Sequence, residues 1–312
     1  MLASSRESII NAAVKMPIPA FDDPQSDLRT SRPLIIGHRG ASGLAPENTL
    51  AAFSLAVALG ADGVEMDVQL SRDGQPVVMH DARVSRTTNG RGSVSRLTLA
   101  QLQRLDAGSW FEKRLSRRPR VRAMLQRISA EVGADIPHYA GEPVPSLEDV
   151  LLLLKPAGLE RIYVELKGNT QNQQGLLNSI LSLVLKQGVE RSTTLLSFDH
   201  ALIRQVKAVA TGVRTAALFP ARGRRLISTR SIIRTAENAG VDEVALHFGL
   251  ATQRSVEAFH ERGLSVSVWT ANSKLSMRRL VKCGADSIMT NFPNRLRDVL
   301  ELRETRRQVR GR

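Results

Sequence analysis

Residues 63–70 read GVEMDVQL. Val64, Met66 and Val68 alternate with Glu65 and Asp67. A period of two marks a strand and puts both carboxylates on one face. Acidic residues are poor strand formers, so the pair calls for a reason. In the next stretch, SRDGQPVVMH (71–80), Asp73 and Gly74 mark a turn before a second extended run. That combination predicts an antiparallel hairpin.

Outward from this hairpin, extended and helical patterns alternate. The run 33–37 is followed by helical spacing over 47–60. Later strands are expected at 161–166, 193–198, 213–219, 242–248, 264–269 and 286–290. Helices are expected at 174–187, 199–210, 227–239, 252–261, 273–282 and 293–302. With 63–70 and 76–80 the strand candidates number nine. The arm 76–80 runs the wrong way for a parallel stave, so eight remain. Eight parallel strands with intervening helices give an α/β fold, the (β/α)8 TIM barrel. An open doubly wound sheet is the rival, but no Gly-x-Gly-x-x-Gly turn follows the first strand.

Composition agrees with one large domain. Of 312 residues, 42% are hydrophobic but only 4% aromatic, so the core is expected to be aliphatic. The domain is expected over 31–302, with a lead-in at 1–30, a basic insertion at 112–143 over one mouth, and a basic tail at 303–312. The apolar run near the start is broken by Arg6, Glu7, Asn11 and Lys15 and makes a poor signal peptide. There is no apolar run of membrane-spanning length. The single cysteine, Cys283, excludes an intrachain disulfide and suits a reducing, cytoplasmic setting.

Net charge is +14. It reflects either genome-wide composition or attraction to anionic substrates, lipid surfaces or nucleic acid. The densest basic stretches are 112–127 and the region of Arg295, Arg297 and Arg303–Arg312. Neither interleaves aromatics, which weakens a single-stranded nucleic-acid reading. No nucleic-acid partner is expected, and peripheral contact with an anionic membrane is the alternative use of this surface.

Barrel active sites lie at the C-terminal ends of the strands. Enclosed together, Glu65 and Asp67 lose hydration and repel each other, at a cost of several kcal/mol per ion without a counter-charge. A divalent cation is one solution; an outward face, or a neighbouring arginine, is another. Other strand ends carry matching chemistry. GHRG holds His38 and Arg39, VMHD holds His80, VELK holds Glu165 and Lys167, and VSVW ends in Trp269. His138, His200 and His260 read as structural, and His247 is undecided.

The blocks GHRGASGLAPENTLAAF, GVEMDVQLSRDGQPVVMHD, LTLAQLQRLDAGSWF, VPSLEDVL, VELK and VWTAN…GADSIMTNFP resemble, in order and spacing, the glycerophosphodiester phosphodiesterase family. The resemblance covers residues 33–300. It implies a phospholipase-C-like TIM barrel that hydrolyses glycerophosphodiesters to sn-glycerol 3-phosphate and an alcohol with a divalent cation. By position it implies Glu65, Asp67 and Glu165 as metal ligands and His38 and His80 as the catalytic histidines. Arg39 and Lys167 match basic positions suited to phosphate oxygens, Trp269 the aromatic beside the organic part of the substrate, and Glu47 an acid near the site. Asn291 stands where the family usually has aspartate.

The residue chemistry agrees. Carboxylate oxygens suit Mg²⁺, Ca²⁺ or Mn²⁺. Two imidazoles can share proton removal and delivery near neutral pH, and sequence leaves open which does which. The nucleophile is either water on the cation or the glycerol 2-hydroxyl, the latter giving a cyclic phosphate. Two alternatives remain: a lysophospholipase D or sphingomyelinase D-like activity, and a non-catalytic phosphate-ligand or nucleic-acid binding barrel. The single cysteine argues against the disulfide-bonded secreted sphingomyelinases.

Overall fold

The computed structural model describes residues 32–131, 137–167, 173–210, 212–221 and 227–310. The expected lead-in at 1–30 lies outside the described residues. So do positions 132–136 of the insertion and the last two residues of the tail.

Eight parallel strands close on themselves: β1 (Leu34–His38), β2 (Gly63–Leu70), β4 (Arg161–Leu166), β5 (Thr193–Ser197), β6 (Arg214–Phe219), β7 (Glu243–His247), β8 (Ser265–Trp269) and β9 (Ser287–Thr290). Each pairs with its neighbour in chain order, and β1 closes the ring against both β2 and β9. The ninth strand, β3 (Pro76–Val78), lies antiparallel on the upper part of β2, with Val68 opposite Val78. This is the hairpin that Asp73 and Gly74 announce.

Helices fill the crossovers: α1 (Leu50–Ala58), α2 (Leu99–Gln103), α3 (Ser109–Leu115), α4 (Pro119–Glu131), α5 (Leu147–Leu154), α6 (Gln173–Gln187), α7 (His200–Val209), α8 (Thr229–Ala239), α9 (Gln253–His260), α10 (Lys274–Cys283) and α11 (Pro293–Arg310). The helix expected from residue 47 starts at Leu50, because Asn48 is left-handed (φ 58°) and Thr49 caps the Ala52 amide. The last helix runs to Arg310, eight residues past its expected end; no glycine or proline interrupts it before Gly311.

Most of the aliphatic core lies between strands and helices, where Val64, Met66 and Val68 of β2 point. The opposite faces fill the barrel with Ile36, Leu196, Ala216, Leu218, Ala245 and Met289, around Tyr163. The Tyr163 hydroxyl donates to Glu243 at 2.9 Å.

Three helix-to-strand junctions share a device: Gly60-Ala61-Asp62, Gly240-Val241-Asp242 and Gly284-Ala285-Asp286. Each glycine has a positive φ that ends the helix. Each aspartate then accepts a backbone N–H from the adjacent strand: Ile35 (2.8 Å), Thr215 (2.9 Å) and Val266 (2.7 Å). The device holds three strand starts at the closed end of the barrel.

Candidate active site

The residues singled out at strand ends meet at the opposite end. Glu65 and Asp67 share the inner face of β2, and the β2–β4 register sets Asp67 directly beside Glu165. All three carboxylates are buried. One oxygen from each lies within 4.8 Å of the others. The outward-facing reading of the pair is thereby set aside.

Two cations stand against them. Arg39 Nε lies 3.0 Å from Asp67 Oδ2. Lys167 Nζ bridges Glu165 at 2.6 Å and Asp67 at 3.2 Å. The backbone helps: Arg39 and Asn48 both adopt positive φ (56° and 58°), which costs of order 1–3 kcal/mol for a side-chain-bearing residue. That geometry points the Arg39 N–H at Glu65 Oε2 (3.0 Å) and the Asn48 amide at Asp67 Oδ2 (2.8 Å).

The carboxylates divide in character. Burial opposes charge on Asp67, but Arg39 and Lys167 outweigh it and hold its pKa below the usual carboxylate range. Burial, with Asp67 as a charged neighbour, pushes Glu165 up to about 7. Burial and the charges of Asp67 and Glu165 push Glu65 well above the ordinary value. The Lys167 ammonium is buried as well, yet the two acids beside it raise its pKa. Asp67 Oδ1 is the oxygen that faces Lys167 Nζ.

These donors fit a hard divalent cation. They are all oxygen, and their spacing matches two bonds of about 2.3–2.6 Å to a shared ion. Such an ion would also offset the repulsion among the three carboxylates that, with burial, raises the Glu65 pKa.

The imidazoles occupy different surroundings. His38 Nδ1 is 2.8 Å from the amide oxygen of Asn291. An amide oxygen only accepts, so Nδ1 carries the proton and Nε2 a lone pair. Nε2 sits 3.8 Å from Glu65. Burial and the charge of Arg39 bring His38 down to about 4, so it is neutral near pH 7. His80 Nδ1 instead meets the Asp81 carboxylate at 2.6 Å. Hydrogen bonding from Arg86 brings Asp81 down to about 2.

An open cleft lies above this floor. His38, Arg39, Glu65, His80, Glu165 and Lys167 form its polar wall. Leu196, Phe198, Leu218, Trp269 and Met289 form an apolar one. Trp269 is anchored by its indole N–H to the Ala245 carbonyl (3.0 Å) and packs edge-on to Phe198 and His247, each at 5.6 Å. His247, undecided from sequence, thus buttresses the aromatic wall. His138, His200 and His260 have local partners in Glu112, the Leu218 carbonyl and Asp286.

Glu47 lies beside the cleft and accepts from Arg39 Nη1 at 2.7 Å. Burial opposes its charge, but hydrogen bonding from Arg86 and the charge of Arg39 hold it below the ordinary value. Four residues given a part at this site went unread in the sequence: Asn48, Asp81, Arg86 and Phe198. Asp81 directly follows His80 and could have been found by adjacency. Asn48 meets a partner 19 residues away, and Arg86 joins Asp81, five residues away, to Glu47, 39 residues away.

The sequence pattern of the glycerophosphoryl diester phosphodiesterase family matches residues 38–295. The chain belongs to this family. A glycerophosphodiester phosphodiesterase of Caldanaerobacter subterraneus is 31% identical over 263 residues, 84% of this chain and 96% of that one. One of Bacillus subtilis is 30% identical over 276 residues, 86% of each chain. Among solved structures, a phosphodiesterase of Oleispira antarctica in complex with its product sn-glycerol-3-phosphate superposes with a TM-score of 0.73 at 25% identity, covering 88% of this chain and 99% of that one. The chain is therefore a phosphoric diester hydrolase on a TIM barrel, and the non-catalytic barrel alternative falls. Among the described residues no helix is long and apolar enough to cross a membrane.

Proposed function

We propose that the cleft hydrolyses glycerophosphodiesters to sn-glycerol 3-phosphate and an alcohol. Glu65, Asp67 and Glu165 would hold a divalent cation, Mg²⁺ or Ca²⁺, with Mn²⁺ chemically equivalent for such donors. The observation that carries this reading is the convergence of three buried carboxylates below two imidazoles in opposite electrostatic settings. When bound, the cation supplies positive charge to the nonbridging phosphate oxygens.

The chain's own groups do the rest. Arg39 and Lys167 face the same oxygens and add to their stabilisation. His38, neutral and with Nε2 free of a proton, takes the proton of the attacking group, water or the glycerol 2-hydroxyl, and in the second case water then opens the cyclic phosphate to glycerol 3-phosphate. His80, on the ionised Asp81, delivers a proton to the departing alkoxide. Trp269 and Phe198 flank the organic part of the substrate, and Glu47 and Asn291 orient Arg39 and His38. The product held by the Oleispira antarctica relative supports sn-glycerol 3-phosphate as the phosphate-bearing product here.

The test is release of glycerol 3-phosphate from glycerophosphocholine. Wild type is expected to release it, and His38→Ala and His80→Ala each to lower kcat at least 100-fold, within the range of acid–base contributions. Wild-type-like turnover in both variants would refute the assignment.

One observation favours a second substrate source. Helices α3 and α4 and their junction expose Lys113, Arg114, Arg117, Arg118, Arg120 and Arg122. No ion pair among the described residues engages them. Arg114 lies within electrostatic reach of Glu47 and Arg86, which sets this patch beside the cleft. The patch suits an anionic lipid surface and hence a lysophospholipid headgroup presented from it. Rates on lysophosphatidylcholine against glycerophosphocholine, with anionic vesicles present, separate the two substrates.

A further inference from the structure

Arg86 does not line the cleft. It ends a short 3-10 turn, Val84–Arg86, and its side chain is partly exposed. Even so, its guanidinium engages two acids at once. Nε and Nη2 meet Asp81 at 2.5 and 3.1 Å. Nη1 and Nη2 meet Glu47 at 3.0 and 2.7 Å.

The shared atoms matter most. Asp81 Oδ1, which receives Nη2, also meets His80 Nδ1 at 2.6 Å. Glu47 Oε1, which receives the same Nη2, also accepts from Arg39 Nη1 at 2.7 Å. One nitrogen thus spans the two oxygens that hold a cleft imidazole and a cleft guanidinium. The turn beneath is fixed: Val84 is buried, its N–H donates to the Gly92 carbonyl (3.1 Å), and its carbonyl accepts from Thr88 Oγ1 (2.8 Å).

We propose that Arg86 is a positioning residue that sets both sides of the cleft, orienting His80 through Asp81 and Arg39 through Glu47. The inference rests on the hydrolytic roles given to His80 and Arg39 above. An isolated, partly exposed ion pair contributes little. Here two paired contacts share one rigid fork, and both acids are tied to cleft residues. Only a guanidinium has that geometry; an ammonium can sit between two carboxylates, as Lys167 does, but cannot make a paired contact with each of them at once.

The test uses the full chain with Arg86→Ala, Arg86→Lys, Asp81→Asn and Glu47→Gln. The first readout needs no activity. A short Nδ1–H···carboxylate bond moves the imidazole N–H proton far downfield in NMR, and loss of the peak in His80→Ala assigns it. The peak is expected in wild type and lost or shifted in both Arg86 variants. The second readout is kinetic. Arg86→Ala is expected to lower kcat about 10- to 100-fold, the range for losing an outer partner of a functional group, and to raise KM. Arg86→Lys should stay close to Arg86→Ala. Added to Asp81→Asn, Arg86→Ala should cost no more kcat but still raise KM; added to Glu47→Gln it should raise KM no further.

An unmoved resonance in Arg86→Ala, or wild-type kinetics in that variant, overturns the proposal. A wild-type enzyme inactive on glycerophosphodiesters overturns the functional reading instead, while the resonance still decides what Arg86 orients.

Discussion

His38 and Asn291 show how one atom type sets a role. An aspartate at 291 would place a negative charge 2.8 Å from Nδ1 and favour imidazolium; the asparagine present fixes the tautomer without that charge. Asn291→Ala removes the acceptor and leaves a buried N–H unpaired. Its kcat is expected to fall about 10- to 100-fold with KM nearly unchanged, as steady-state kinetics on glycerophosphocholine can check. At this scale much of the site was legible. Glu65 and Asp67, and Glu165 and Lys167, are two apart, so strand geometry alone puts each pair on one face. Asn48 and Arg86 were not legible, because Asp67 and Glu47 are brought to them by the path of the loops rather than by local spacing.

At the scale of elements, the strands were read nearly to the residue because apolar runs end at glycines and turns. Helix ends were less legible. Asn48 takes a left-handed conformation that an L residue seldom adopts, and it delays α1. The short helix α2 starts on a capping box of Thr98 and Gln101, a local signal that a five-residue helix leaves without an apolar period to support it. The Gly-x-Asp junctions also escaped notice, since each is only three residues long. Asp242 tests what they do. Burial opposes its charge, but Lys207 (2.6 Å) and the Thr215 N–H and hydroxyl outweigh it and hold its pKa below the ordinary value. A lowered pKa gives stability that is present above the ordinary carboxylate pKa of about 3.9 and is lost as pH falls through the folded value. Asp242→Asn is therefore expected to lose about 1–3 kcal/mol at pH 7. In urea unfolding the gap to wild type should narrow toward pH 3.

For the whole molecule, counting strands and removing the one antiparallel arm was enough to give the closed barrel. Within the basic stretch expected at 112–143, Tyr139 donates to the Leu44 carbonyl at 3.0 Å, and Met124 Sδ accepts from Asn294 at 3.4 Å. Charge at this scale makes its own prediction. With each arginine near an anionic bilayer contributing about 1 kcal/mol, reversing Arg117, Arg118, Arg120 and Arg122 to glutamate should weaken binding to phosphatidylserine vesicles by about 1000-fold or more. Sedimentation with vesicles at low salt measures this, and equal binding by wild type and variant would remove the membrane role.

On the proposed function, Glu65, Asp67 and Glu165 together hold a divalent cation on which turnover depends. The most direct measurement is glycerol 3-phosphate release by chelator-stripped enzyme, before and after adding back Ca²⁺, Mg²⁺ or Mn²⁺, with calorimetric titration of the same ions into wild type, Glu65→Gln and Glu165→Gln. Stripped wild type should be inactive and recover with at least one ion, and that ion should bind wild type but neither variant. Full activity after stripping, or unchanged binding in both variants, would contradict the account.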